Sequence, residues 1–349
     1  MMIRQRGGSI VITADGLTLE AYPVIIRLVT NAVAESICLK VRHRLDPCRV
    51  PLSRNQAEEA LVTDDLKTPR MTLAFSTLGC AELELGEALA LAARHGLDAI
   101  EIRALGGTID LSAYFTERFG TPAALARVLD RSPVAVCALN TSLRLVGATL
   151  EAKEAFLRYL PWAEAAGIKS LRVFDGGTTG DAGELAEALS TLDWWRETAR
   201  REGFAADMVV ETHDVLVRPE TIGRFLEAAP DCALIWDTHH TWRKGGQDPV
   251  ATWKQVRHNT RHLHVKDSVS QPSEKLPYSY ALPGTGEFPM ASLLSVLAAD
   301  RYDGVMSLEW ERLWHAQLPP LDLALQQARG TDWWPRSNPD ERLSSGSAR

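Results

Sequence analysis

From Met71 onward the chain alternates between two hydrophobic rhythms. Short runs rich in β-branched and other apolar residues read as strands: "TLAFS" (72–76), "AIEIR" (99–103), "VAVCALN" (134–140), "SLRVF" (170–174), "MVVET" (208–212), "ALIWD" (233–237), "HLHVK" (262–266) and "VMSLEW" (305–310). Several are apolar on both faces, as parallel strands covered by helices require. The stretches between them carry their apolar positions at helical period. "ELGEALALAARHG" and "KEAFLRYLPWAEAAG" each predict one helix that closes on a glycine C-cap signal. "PETIGRFLEAA" opens with Pro219 and Glu220, which suit a first helical turn. Eight such units over about 255 residues predict an α/β protein, a (β/α)8 TIM barrel. An open doubly wound sheet is the main rival, but the first strand-to-helix turn, "STLGCAELELGEA", lacks the glycine pattern of a phosphate turn.

Residues 1–70 do not share this rhythm. They are expected to form an N-terminal extension outside the barrel, either poorly ordered or an accessory element, or to be upstream sequence that is not part of the working protein. The barrel is expected over 71–326 and a C-terminal tail over 327–349. The 349 residues are 45% hydrophobic, enough for a large core. A net charge of −7 argues against attraction to a phosphate backbone. Cys38, Cys48, Cys80, Cys137 and Cys232 are scattered, odd in number and without a CxxC pair. This disfavours a disulfide framework or thiolate zinc site and favours a reducing compartment. No apolar run approaches the roughly 18 residues of a membrane span, and Asp15 and Glu20 interrupt any signal-like start. The expectation is a cytoplasmic protein with neither a nucleic-acid nor a membrane partner.

The chemistry sits at the ends of the last four predicted strands. Glu211 ends the fifth, Asp237 the sixth, His264 lies on the seventh and Glu309 ends the eighth. A single carboxylate at a strand end is usually a helix N-cap or a loop ion pair, and a lone histidine is usually a satisfied core residue. Four at corresponding positions of four successive units are a different matter. Carboxylates converging at a barrel mouth repel each other unless a cation joins them. Three carboxylates and one imidazole predict one divalent metal ion: Mn2+ first, with Mg2+, Co2+ or Zn2+ also compatible.

Residues 71–326 resemble the sugar isomerase/epimerase family with the xylose-isomerase-like barrel. Its pattern of Glu, Asp-x-x-His, His and Glu is matched by Glu211, "DTHH" (Asp237 and His240), His264 and Glu309. "GLDAIEIR", "HVKD", "PGTGEFP" and "SLEWE" stand where the family has similar phrases; residues 1–70 fall outside the match. The resemblance implies a metal-dependent isomerase or epimerase acting on a small sugar or polyol, and a homodimer. Such an enzyme moves a proton alpha to a carbonyl through an enediolate, with the metal as Lewis acid. Carried over from the family's 3-epimerases, Glu211 and Glu309 would be the catalytic acid/base pair, Asp237 and His264 mainly ligands, and His240 a hydrogen-bond partner of a substrate oxygen.

Other residues have two readings each. Lys266 could neutralise an oxyanion or carboxylate of the substrate, or form a surface pair with Asp267. Arg103 could bind substrate or pair with Glu101 inside the barrel. Asn140 could reach the mouth, though a turn-forming role is favoured. His213 and His239 are expected beside the ligands or at the rim. Trp236, Trp310 and Trp314 are read as packing, with one of them available as a wall against a sugar ring. "GGTTG" (176–180) is favoured as a turn over a phosphate loop, and "PGTGEFP" (283–289) is expected to shape the loop and helix start before the last strand.

Three rival functions use the same residues. A dehydratase of a cyclic polyol ketone, such as an inosose or a dehydroshikimate-like acid, would expel a β-hydroxyl from the same enediolate. A trinuclear zinc nuclease would need further histidines where this chain has Arg103 and Asn140. A non-catalytic metal- and sugar-binding barrel would not need two bases.

Overall fold

The computed structural model describes residues 70–331 and 333–334, together with the backbone of residues 2–6, 9–14 and 17–21. It divides into two units, Met1–Lys67 and Thr68–Arg349. In the first, β1 (Met2–Arg6), β2 (Ser9–Ala14) and β3 (Leu17–Ala21) form a three-stranded antiparallel sheet in sequential order. Period-based reading assigned no strand there.

The second unit is a closed barrel of eight parallel strands with helices between them. The strands are β4 (Thr72–Ser76), β5 (Ala99–Ile102), β6 (Ala135–Arg144), β7 (Ser170–Phe174), β8 (Asp207–Glu211), β9 (Leu234–Asp237), β10 (Thr260–Val265) and β13 (Val305–Leu308). A two-stranded antiparallel ribbon, β11 (Asp267–Val269) and β12 (Ser279–Ala281), lies between β10 and β13 in the sequence. Each barrel strand starts within two residues of its expected position.

Strand parity separates two environments. Ile100, Leu139, Leu171, Val210, Trp236, Leu263 and Leu308 are fully buried in one core with helix residues such as Leu192, Phe225 and Leu293. Burying one such side chain contributes roughly 1.5–3 kcal/mol. The opposite parity points into the barrel and carries Glu101, Asn140, Arg172, Glu211, Asp237, His264 and Ser307, all at most 1% exposed. A barrel interior ordinarily filled by branched apolar residues is here polar on every one of these strands.

Three details depart from expectation. The helix read through "KEAFLRYLPWAEAAG" is two, Leu150–Leu157 and Leu160–Ala165. Pro161 lacks an N–H and its ring clashes with the preceding turn, so one helix cannot run through it. Strand β6 continues to Arg144, which leaves Asn140 inside it rather than at a turn. The boundary drawn at 326 falls within the last helix, Leu321–Gly330, and Ala328, Trp333 and Trp334 belong to the core. Among the described residues, no helix is long and apolar enough to cross a membrane, and Cys80, Cys137 and Cys232 are free.

Candidate metal centre

Strand β9 runs directly into the helix Thr238–Arg243, and Asp237 serves both elements. Its Oδ1 caps the helix by accepting from His240 N at 2.8 Å. That leaves Oδ2 beside Lys266 Nζ, 2.8 Å away. The N-cap and the ion pair of a strand-end aspartate are thus both present, one per oxygen. Glu211, Asp237, His264 and Glu309, the four residues expected to converge, do so: one ligand atom from each lies within 4.8 Å of the others, and all four residues are buried. His264 Nδ1 is 3.0 Å from Glu211 Oε1, 3.4 Å from Glu309 Oε2 and 4.0 Å from Asp237 Oδ2.

The other face of the His264 ring explains why Nδ1 points this way. Nε2 lies 3.0 Å from Glu101 Oε2, and Ser307 Oγ donates to Glu101 Oε1 at 3.0 Å. His262 Nε2 is 3.2 Å from the same carboxylate. Burial pushes the Glu101 carboxyl up, but the two histidines outweigh it and hold it at about 2. Burial opposes charge on His264, but Glu101, Glu309 and Glu211 outweigh it and hold the ring well above the usual histidine range. A metal at Nδ1 would displace the proton there, while Glu101 keeps the one on Nε2. Glu101 does not pair with Arg103.

Positive charge surrounds the cluster. Lys266 is wholly buried, with Nζ 2.8 Å from Asp237 Oδ2, 2.7 Å from Glu311 Oε1 and in contact with Glu309 Oε2. Burial opposes its charge, yet these carboxylates hold the ammonium well above the usual lysine range. The surface pair with Asp267 is not formed. Asp267 instead accepts from the backbone N–H groups of Gly284, Gly286 and Phe288, at 2.9, 2.9 and 3.1 Å. A Cβ on Gly286 would stand 2.1 Å from Asp267 Oδ1, so glycine is required where "PGTGEFP" wraps this carboxylate. Arg172 Nε lies 3.2 Å from Glu211 Oε2, and its Nη1 donates to Thr141 O at 3.0 Å.

The remaining candidates fall at varied distances from the centre. His240 is buried, its Nδ1 3.2 Å from Asp237 Oδ2 but outside hydrogen-bonding geometry. Burial, and then the charge of Lys266, hold it well below the usual histidine range, so it is neutral. His239 is paired with Ser268 Oγ at 2.8 Å, and His213 with Asp214 at 2.9 Å. Arg103 is 5% exposed, with Nη1 unpartnered. Trp236 and Trp310 are core residues, whereas Trp314 is exposed. In "GGTTG" the N–H groups of Thr178, Thr179 and Gly180 all donate to Glu184. The loop makes an anion nest, and the chain's own carboxylate fills it. A second possible metal trio, Asp175, His213 and Asp214, is explained without an ion: Asp175 accepts from the N–H groups of Gly176, Asp214 and Leu216.

The donor set fits a divalent cation. It has hard carboxylate oxygens with one imidazole, and Glu211 Oε2 and Asp237 Oδ2 are buried without a hydrogen bond. A family model described as xylose isomerase-like TIM barrel matches residues 89–334, most of the chain. The chain belongs to that family. Solved structures with the xylose isomerase-like barrel agree with the fold. The probable 3-DHS dehydratase AsbF of Bacillus anthracis is 16% identical, with a TM-score of 0.60 over 75% of this chain and 99% of that one. The IOLI protein with a binding zinc atom is 20% identical, TM-score 0.60, covering 75% and 96%. A D-tagatose 3-epimerase-like protein is 18% identical, TM-score 0.55, covering 74% and 95%. No curated protein matches the chain.

Three residues of the centre escaped sequence reading. Arg172 was passed over inside an apolar strand, although an arginine at the centre of "SLRVF" is itself a signal of an inward polar site. Glu101, read from the sequence only as an alternative partner of Arg103, meets His264 instead. Glu311 follows Glu309 by two, the same spacing that links His264 to Lys266.

Proposed function

We propose that this protein is a divalent-metal-dependent isomerase or epimerase that moves a proton on the carbon beside a carbonyl of a small sugar or polyol. The observation that carries the reading is the pair Glu211 and Glu309, which approach one imidazole nitrogen, His264 Nδ1, from different strands at 3.0 and 3.4 Å. Glu211, Asp237, His264 and Glu309 would hold the ion, with Mn2+ the expected occupant. When bound, it supplies a Lewis acid that acidifies a C–H beside a carbonyl.

The chain's own groups do the rest. One glutamate takes the proton and the other returns it, from the opposite face for an epimerisation. Burial and the charge of Glu309 disfavour ionised Glu211, but Arg172 and His264 outweigh them and hold its carboxyl below the usual carboxylate range, in the ionised form a base requires. Glu101 holds the His264 ring, and neutral His240 offers a ring nitrogen to a substrate oxygen. Lys266 is placed to stabilise negative charge developing near Glu309. Its buried ammonium also favours a second reading: a leaving β-hydroxyl needs a proton donor, and dehydration would then follow proton removal. A small molecule is the partner in either case, with neither nucleic acid nor membrane involved.

The test is incubation of the Mn2+-loaded chain with a ketose and polyol panel in deuterated water, read by mass spectrometry. Deuterium enters one carbon-bound position of the true substrate, and Glu211→Gln and Glu309→Gln each abolish the exchange. Normal exchange in both variants would refute the assignment. An epimer among the products supports the first reading, and loss of water supports the second.

A further inference from the structure

Strands β5, β6 and β7, which follow one another in the barrel up to the Glu211 strand β8, carry a second polar group. Ile102 pairs with Leu139 and Asn140 with Arg172, so Arg103, the next residue after β5, continues the row opposite Asn140. All three share the inward parity of Glu101 and Glu211. The three side chains are unequally satisfied. Arg172 has Glu211 and Thr141 O. Among the described residues, Arg103 has no carboxylate within 4.0 Å and makes no side-chain hydrogen bond, although it is only 5% exposed and its Nη1 is fully buried. Asn140 is 0% exposed, and both Oδ1 and Nδ2 lack a partner.

Such an arrangement is costly as it stands. A buried guanidinium without a counter-ion and a buried amide without partners each disfavour the fold, and the charge of Arg172 adds repulsion. Native interiors leave few such groups, and each calls for a partner such as an ordered water, an ion or a ligand. What would satisfy them follows from their chemistry. Arg103 offers a planar fork for an oxyanion. Asn140 Nδ2 offers another donor to the same group, and Oδ1 requires a donor, such as a hydroxyl next to that anion.

We infer that Arg103 and Asn140, backed by Arg172, form a subsite for the anionic end of the substrate, which is a polyhydroxylated acid with a carboxylate beside a hydroxyl. The inference rests on the proposed reaction only in placing this end of the substrate beside the ligand cluster, which Arg172 touches through Glu211. It narrows the substrate from neutral sugars to hydroxy acids. The occupied nest at 176–180 offers no competing oxyanion site, since Glu184 fills it.

A matched set of six-carbon probes tests this: D-gluconate, neutral D-glucitol and D-glucitol 6-phosphate, each titrated calorimetrically into the full chain with and without Mn2+. Gluconate is expected to bind at least about 10-fold tighter than glucitol, as one charge-assisted pair provides. Arg103→Gln removes that preference while Mn2+ affinity is retained. Asn140→Leu, which keeps the guanidinium, lowers gluconate affinity more than glucitol affinity and serves if the arginine variant fails to fold. Equal binding of gluconate and glucitol overturns the inference, as does an unchanged preference in both variants. Tighter binding of the phosphate than of gluconate, lost in Arg103→Gln, overturns the carboxylate assignment. If the chain takes no Mn2+, the metal reading fails, and the metal-free titrations still decide the subsite.

Discussion

Glu101→Gln isolates what an anion behind the His264 ring does for the metal centre. The substitution keeps the shape of the side chain and removes its charge. Wild-type Glu101 lies 3.0 Å from His264 Nε2 and accepts from Ser307 Oγ at 3.0 Å, with His262 Nε2 3.2 Å away. Glutamine can still present one oxygen to His264, so the ring stays seated, but the charge-assisted bond becomes a neutral one and the basicity of Nδ1 falls. Loss of such an outer partner typically costs 10–100-fold in metal affinity, or about 1.4–2.7 kcal/mol. Ser307→Ala, which removes only the hydroxyl donor to the far oxygen, is expected to cost less than about threefold, a fraction of one ordinary hydrogen bond. Mn2+ titration followed by electron paramagnetic resonance of the free ion measures both variants, with circular dichroism to confirm folding. A Glu101→Gln protein that binds Mn2+ within twofold of wild type would refute the role given to Glu101.

Three further outcomes follow from the same geometry. Lys266→Met removes the ammonium that three buried carboxylates share. The metal-free variant should be less stable by about 3–5 kcal/mol, and Mn2+ should restore much of the loss; thermal melts with EDTA and with Mn2+ would show it, and equal melting in EDTA would contradict it. Asp175→Ala leaves the N–H groups of Gly176, Asp214 and Leu216 without their acceptor. At roughly 1–3 kcal/mol for each unpaired group, the urea midpoint should fall by the equivalent of about 3 kcal/mol or more, whereas a change under 1 kcal/mol would contradict the bonding. Burial, followed by Glu82, pushes the Cys80 thiol up to about 12, and burial does the same for Cys232. At pH 8 both should stay neutral and resist iodoacetamide in native protein but react in urea, as peptide mapping would reveal; native labelling at the rate of a free peptide would contradict it.

The barrel was legible because its signal is repeated eight times: each strand is a short apolar run, and each is followed by a helical period. The convergence of four side chains was legible for a related reason. Glu211, Asp237, His264 and Glu309 occupy equivalent places in successive units, and closing the barrel brings equivalent places together. What sequence reading missed are the partners a side chain finds on other elements, which strand parity alone does not give. Glu101 and Arg103 share a face, which suggested a pair, yet strand rise separates them, and Glu101 meets His264 across the barrel from a strand 163 residues away in sequence. Asn140 looked like a turn residue because the strand around it continues with Thr141, Ser142 and Leu143, a mixed pattern with no period-two signal. Glu184 fills its nest from the first turn of a helix, and a side chain reaching back to its own loop leaves no trace in periodicity.

Equilibrium dialysis against Mn2+ of the purified full chain, beside an Asp237→Asn/His264→Gln double variant, bears most directly on the proposal that one cation joins the last four barrel strands. The expected result is one ion per wild-type chain and none on the double variant, with both proteins folded by circular dichroism. A wild-type chain that stays metal-free, or a double variant that still retains its ion, would contradict it.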